Sequence, residues 1–221
     1  MALCIFDLDH TLLEGDCDQL WGDFLAQKGI VDPVDYQTRK QRFLEDYQAG
    51  CLDILEFYRF VLAPLKPFSM SELIQLRHQF SKRMVSHLIR PKAEALIHTH
   101  KQKGDYCLLI TATNAFVAQA AMDLLDVHEM IATEPEIRED RLTGGITGTP
   151  VFREGKVERL QLWLSNKPYD LETATCYSDS HNDIPLLSLV GHPVAVTPDE
   201  RLREWALQHH WKIINLSSNP A

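Results

Sequence analysis

Ala2-Leu3-Cys4-Ile5-Phe6-Asp7-Leu8-Asp9-His10-Thr11-Leu12-Leu13 opens the chain, and its reading decides the fold. A short apolar run bounded by polar residues suits a strand buried on both faces, as in a parallel sheet. The two aspartates then fall at the carboxyl end of that strand, where open α/β sheets bind their ligands. Residues two apart on a strand point the same way, so Asp7 and Asp9 share one site. Two carboxylates held that close repel unless a cation stands between them. An all-oxygen site of this kind suits Mg²⁺, which takes a few carboxylates plus water and phosphate oxygen. Read alone, the stretch also fits a buried strand ending in a solvated acidic turn, the less favoured of the two, and the rest of the chain has to separate them.

The chain has 221 residues, 45% hydrophobic and 24% charged, which is ordinary for a globular protein. That length suits one core of about 150 residues carrying an inserted subdomain. Only the tail, 217–221, reads as disordered. The net charge of −9 argues against nucleic acid or an anionic membrane surface as partner, because both need a basic footprint. The five cysteines (Cys4, Cys17, Cys51, Cys107, Cys176) are scattered, odd in number and form no CxxC pair. They suggest a reducing compartment. No leader-like segment and no apolar run of membrane-spanning length is visible, so the expected location is cytoplasmic. The oligomeric state is not readable.

After a turn at Leu12 to Asp16, the stretch from Cys17 to about Ile89 shows helical apolar spacing and no strand candidate. Gly29, Asp32-Pro33, Gly50 and Pro64 to Ser69 punctuate four or five short helices, and Ser69 with Glu72 reads as a capping box. From Pro91 the texture alternates. Strands are expected at Tyr106 to Thr111, Met130 to Ala132, Thr173 to Tyr177, Pro193 to Val196 and Lys212 to Leu216. Helices are expected at Lys92 to Lys103, Ala115 to Leu125, Val157 to Leu164, Ile184 to Leu189 and Asp199 to His209. The glycine-bearing segment 136–152 reads as a β-hairpin excursion. Alternating strands and helices mean βαβ units. The expected fold is therefore α/β, a Rossmann-like parallel sheet with helices on both faces and an all-helical insert. The boundaries are 1–14 and 90–221 for the sheet domain and 15–89 for the insert.

Polar residues recur where strands end. Asp7 and Asp9 follow the first strand, Thr111 ends the second, Lys156 lies at the start of a helix, and Asp179 and Asp183 follow Ala174 to Tyr177. Each has an ordinary reading alone: a helix cap, a surface lysine, a turn. Together the set Asp7-x-Asp9-x-Thr11, Thr111, Lys156 and Asp179-x-x-Asn182-Asp183 resembles the four motifs of the haloacid dehalogenase-like hydrolases. The helical insert resembles the type 1 cap of that superfamily, and the chain is similar to its phosphoserine-phosphatase-like subfamily over nearly its whole length. The resemblance implies a phosphomonoester hydrolase. Asp7 would be the nucleophile that forms an aspartyl-phosphate. Asp9 would be the general acid and then base. Thr111 and the amide of Ala112 would hold phosphate, as would Asn182. Lys156 would offset the crowded charge. Mg²⁺ would be bound by Asp7, the Asp9 carbonyl, Asp179 and Asp183, the last directly or through water.

The insert should select the leaving group. Asp16 falls where phosphoserine phosphatases place a glutamate for the substrate amine. Of the arginines that subfamily uses for the serine carboxylate, only Arg59 has a counterpart here. Asp16, Asp18, Glu45, Asp46, Asp53 and Glu56 are acids suited to a cationic substrate, and Trp21, Phe57, Tyr58 and Phe60 are aromatics suited to a ring. Each is also an ordinary helix-face or helix-core residue. Some members of the subfamily hydrolyse L-histidinol phosphate, which is the expected substrate, with phosphoserine second. A phosphotransferase or mutase shares every motif. A catalytically silent binding module would usually lose a motif aspartate. The ten histidines are read as non-ligands.

Overall fold

The computed structural model describes residues 2–217. The tail expectation for 218–221 lies outside the described residues. β1 (Leu3–Phe6) is wholly buried and central, paired in parallel with β2 (Tyr106–Asn114) on one side and β5 (Thr175–Ser178) on the other. The sheet runs β4-β3-β2-β1-β5-β6-β7, with β3 (Glu129–Arg138), β4 (Arg141–Thr147), β6 (His192–Val196) and β7 (Lys212–Ile214). Only β4 is antiparallel, against β3. The chain lays β2 and β3 to one side of β1, then crosses to β5, β6 and β7 on the other. The switch point thus lies between β1 and its neighbours, the ligand position of doubly wound sheets.

Alternation along β1 builds two cores, one on each face. Leu3 and Ile5 join Leu108, Ile110, Cys176 and Ala195. Cys4 and Phe6 join Leu109, Val194 and the apolar faces of the inserted helices. Those helices are α1 (Cys17–Gln27), α2 (Pro33–Ala49), α3 (Ile54–Leu62) and α4 (Met70–Arg83). Asp16, Asp32 and Asp53 cap the first three through their side chains, satisfying amide donors that a helix start leaves free. The expected capping box at Ser69 and Glu72 opens α4. A Leu13–Ile89 bridge ties the chain together where it leaves for the insert and returns. The remaining helices are α5 (Pro91–Gln102), α6 (Ala115–Met122), α7 (Glu154–Leu164), α8 (Ile184–Leu187) and α9 (Glu200–Gln208).

Three expectations need correction. The short strand at Met130 to Ala132 and the separate hairpin at 136–152 are one device. β3 runs ten residues and turns at Glu139 and Asp140, both at positive φ, into β4. β2 continues past Thr111 to Asn114 through a register shift. Helix α7 begins at Glu154 and not at Val157, so Lys156 stands inside its first turn. The β3–β4 hairpin braces the insert, its Asp140 carbonyl accepting from the Met70 N–H at 3.0 Å.

Candidate active site

The carboxyl ends of β1, β2 and β5 open into a cavity of about 640 Å³ roofed by α1, α2 and α3. At its floor the Lys156 ammonium donates to Asp7 Oδ1 at 2.8 Å and to Asp183 Oδ2 at 2.7 Å. All three side chains are buried. Asp183 also accepts from the Ser178 hydroxyl at 2.6 Å. The Thr11 hydroxyl lies 2.9 Å from Asp179 Oδ1 and 3.2 Å from Asp7 Oδ2, and it accepts from the Asp179 N–H at 3.0 Å. Thr11 therefore fastens the loop after β1 to the loop after β5. Asp9 accepts from the Cys17 N–H and from the Thr113 hydroxyl, both at 2.7 Å, so its carboxylate turns toward α1 and β2.

Carboxylates crowded away from water disfavour their own ionisation. Burial, helped by Asp183 and Asp9 against the opposing pull of Lys156, pushes the Asp7 carboxyl up to about 6. Burial and the neighbouring Asp16 push Asp9 up to about 6 as well. Burial and Asp7 raise Asp179. Burial works against the Lys156 charge, yet Asp183 and Asp7 outweigh it and hold the ammonium above its ordinary range.

The model of the haloacid dehalogenase-like hydrolases matches residues 4–188, from β1 through the loop and helix after β5. The chain is a haloacid dehalogenase-like hydrolase. It is 40% identical over 217 residues to a histidinol-phosphatase of Neisseria meningitidis serogroup C (strain 8013), covering 96% of this chain and 98% of that protein. A solved structure of a protein of unknown function from Bordetella pertussis Tohama I superposes with a TM-score of 0.91 at 40% identity, over 98% of this chain and 99% of the other. A substrate-bound phosphoserine phosphatase shares the fold, with a TM-score of 0.70 at 18% identity, over 99% and 94% of the two chains.

The donor set of the hydrolase fits a hard dication. Asp7, Asp9, Asp179 and Asp183 line one cavity floor, and Lys156 is the cation that touches two of them. The all-oxygen character of the four carboxylates is what suits Mg²⁺, which takes one or two carboxylates beside water and phosphate oxygen.

Residues expected on the substrate are placed unevenly. Ala112 and Asn182 line the cavity, as does Asp16. Thr111 is fully buried beneath Thr113, whose N–H it accepts at 3.1 Å, and it does not line the cavity. Arg59 is a correction. It is exposed, because Ile54, Phe57, Phe60 and Val61 form the cavity-facing row of α3 and Arg59 falls off that row. Of the insert's acids only Asp16 and Asp18 line the cavity; Asp53 is spent on capping α3. Phe57 and Phe60 face the cavity, whereas Trp21 and Tyr58 are buried outside its lining.

Sequence reasoning missed several residues of the hydrolase. Thr113 follows Thr111 by two and was reachable by the same spacing that pairs Asp7 with Asp9. Arg153 spans from the sheet domain to the insert, donating to Asn182 Oδ1 at 2.8 Å and to the Gly50 carbonyl at 2.9 Å. Tyr47 joins it there through a 2.8 Å hydrogen bond with Ser180. No local pattern marks either residue. Among the described residues no helix is long and apolar enough to cross a membrane.

Proposed function

We propose that this hydrolase is a Mg²⁺-dependent phosphatase of small phosphorylated metabolites, acting through an aspartyl-phosphate on Asp7, with L-histidinol phosphate as its substrate. The observation that carries the reading is the buried Asp7–Lys156–Asp183 cluster at the floor of a cavity whose walls are aromatic and acidic. Lys156 holds the Asp7 carboxylate in one orientation and supplies positive charge where three phosphate oxygens would arrive. An Asp7 oxygen attacks phosphorus as the ester oxygen leaves, and Asp9, whose carboxyl burial raises to about 6, gives a proton to that oxygen. Water then attacks the phosphorus, Asp9 takes its proton, the bond from phosphorus to the Asp7 oxygen breaks, and inorganic phosphate is released with Asp7 regenerated. Mg²⁺, held by Asp7, the Asp9 carbonyl, Asp179 and Asp183, would supply further charge neutralisation at the phosphate.

The 40% identical Neisseria histidinol-phosphatase, matched over nearly its whole length, supports the substrate assignment. So does the wall of the insert, where Asp16 and Asp18 face the cavity and Arg59 does not. A phosphoserine substrate would need a cation for its carboxylate, and Arg201 at the cavity margin is the residue that reading would use. The five unpaired cysteines suit a reducing, cytoplasmic setting.

The test is phosphate release with Mg²⁺ from L-histidinol phosphate, phosphoserine and an aryl phosphate, beside Asp7→Asn. Preference for histidinol phosphate that disappears in Asp7→Asn is the expected result. Preference for phosphoserine would move the assignment to Arg201. Release that needs an added acceptor would make the enzyme a phosphotransferase, and turnover surviving in Asp7→Asn would overturn the mechanism.

A further inference from the structure

Three lysine and arginine side chains line the cavity: Lys40, Lys156 and Arg201. Lys156 is paired with Asp7 and Asp183, and Lys40 with Asp23 at 2.7 Å. Arg201, exposed at the mouth, forms no ion pair among the described residues. A second guanidinium without a carboxylate stands next to it. Arg153 donates to Asn182 Oδ1 and to the Gly50 carbonyl, and neither acceptor is an anion. A Cβ on Gly50 would stand 3.4 Å from Arg153 Nη2 and 3.7 Å from Arg201 Nη1, so both groups converge on the end of α2. Like charges held this close repel. In a chain of net charge −9 a carboxylate partner is easy to supply, yet none of the described residues supplies one here.

The seat of Arg201 is built. It is the second residue of α9, whose N-cap Asp199 donates its own N–H to the Asp179 carbonyl at 2.8 Å. That bond pins the start of α9 to the loop after β5. The Asp199 carboxylate is already engaged, by the His181 N–H, His181 Nδ1 and the Leu202 N–H, each at 2.7 Å. An imidazole that gives its Nδ1 proton to a carboxylate keeps a lone pair on Nε2, and His181 Nε2 faces Arg201 Nη1 at 3.5 Å. Glu200 lines the mouth too and makes no ion pair with either arginine. From Arg201 the cavity lining continues over His181 and Asn182 to Asp183, at the floor. A phosphate ester, twice negative, has to pass this way toward four carboxylates, and the charge of the whole chain opposes it.

Resting on the phosphatase reading, we infer that Arg201, with Arg153 behind it, forms an anion site at the cavity mouth that takes the phosphate group of an entering ester and of the departing product. The ligand is a phosphate dianion, which a guanidinium meets through paired N–H donors. The site governs how readily phosphate is captured and leaves the chemical step to the floor. The end of α2 offers a rival account. There the two arginines only answer the carbonyls of a helix C-terminus, as a strut between insert and sheet domain, and bind no anion.

The test compares the full chain with Arg201→Gln and Arg201→Lys, all with Mg²⁺. It reads hydrolysis of L-histidinol phosphate and phosphoserine, inhibition by inorganic phosphate, and the melting temperature with and without phosphate. At about 20 mM NaCl, Arg201→Gln should raise KM and the phosphate inhibition constant by about three- to tenfold, with kcat little changed. At about 500 mM NaCl screening should close most of that gap. Arg201→Lys, which keeps the charge, should stay near the wild type. Without phosphate Arg201→Gln should melt no lower than the wild type, because it relieves a like-charge contact, and added phosphate should raise its melting temperature less. An unchanged inhibition constant, or a lower melting temperature with the phosphate-induced rise intact, leaves only the strut and overturns the site. A higher KM for phosphoserine without weaker phosphate inhibition would give Arg201 to a carboxylate of the leaving alcohol and overturn it too. If no ester is hydrolysed while the phosphate-induced rise still depends on Arg201, the phosphatase reading falls and the site stands. Hydrolysis with a phosphate affinity indifferent to Arg201 sinks the site alone.

Discussion

Lys156 faces two buried carboxylates at hydrogen-bonding distance, so its removal leaves Asp7 and Asp183 opposed with nothing between them. Lys156→Met is expected to lower kcat by about 10²–10³, the scale of losing one preorganised charge at a reacting centre. It should also lower the unfolding free energy by about 3 kcal/mol, since breaking a buried pair strands its partners. Initial rates and urea titrations check the two effects separately. Gly22 tests packing instead. An alanine in a helix interior normally gains about 1 kcal/mol over glycine. Here its Cβ would meet the Tyr36 ring at 2.2 Å, and overpacking costs about 1–3 kcal/mol, so Gly22→Ala should destabilise. Legibility at this scale follows the range of the interaction. Asp7 and Asp9 are legible because side-chain alternation on a strand is local. Lys156 is legible only by its place in a pattern. Tyr36 and Arg153 are not legible, since their roles exist only once α2 and the loop before α7 are brought against partners far away in sequence.

Elements carry the next set of constraints. Arg153 stands just before α7 with φ 51° and ψ −120°, a region in which L side chains are strained. Its side chain links Asn182 to the Gly50 carbonyl at the end of α2, so the strained backbone sits where insert and sheet are joined. Arg153→Gly should therefore be more stable than Arg153→Ala by about 1–2 kcal/mol. Both should raise KM, because both lose the link that holds the insert over the cavity. Denaturant midpoints and saturation curves check this. The β3–α7 contact makes a pH prediction. Glu129 accepts from the Lys167 ammonium at 2.8 Å and from the Trp163 indole N–H. The Lys167 bond foremost, with burial opposing, holds its carboxyl below the ordinary range. The unfolded chain then binds this proton at higher pH than the folded one. Its contribution to stability is full above the unfolded value, about 4.3, and fades as pH falls through the folded value. The melting difference between wild type and Glu129→Gln should accordingly shrink between pH 6 and pH 3, taking those bounds as roughly bracketing the carboxylate range. Helices were readable here because Asp32, Ser69 and Gly50 mark their ends. β3 was not, because Pro135 argues against a strand interior. It is tolerated at a register shift in the outer part of β3, opposite Ile146.

At the scale of the molecule, the boundary between sheet domain and insert is a boundary of sequence more than of packing. The insert occupies one continuous stretch between Leu13 and Ile89. Its aromatic residues nevertheless share one buried cluster with the sheet. Trp21 meets Phe80 at 5.1 Å and Phe116, at the start of α6, at 5.9 Å between ring centroids. Phe6 of β1 and Leu109 of β2 belong to the same cluster. A subdomain hinged freely over the sheet would keep its apolar core apart from the sheet's, and here the two are continuous. Insert and sheet should therefore unfold together. Trp21 reports the insert, while Trp163, Trp205 and Trp211 lie in the sheet domain, so variants keeping one tryptophan each isolate the two regions. Their fluorescence transitions in urea should share one midpoint with the loss of helical circular dichroism, as two-state unfolding requires. An earlier midpoint for Trp21 would mean that the insert opens on its own. In that case the Arg153 link and the Tyr47–Ser180 hydrogen bond, not the shared core, would be what closes the cavity over its substrate.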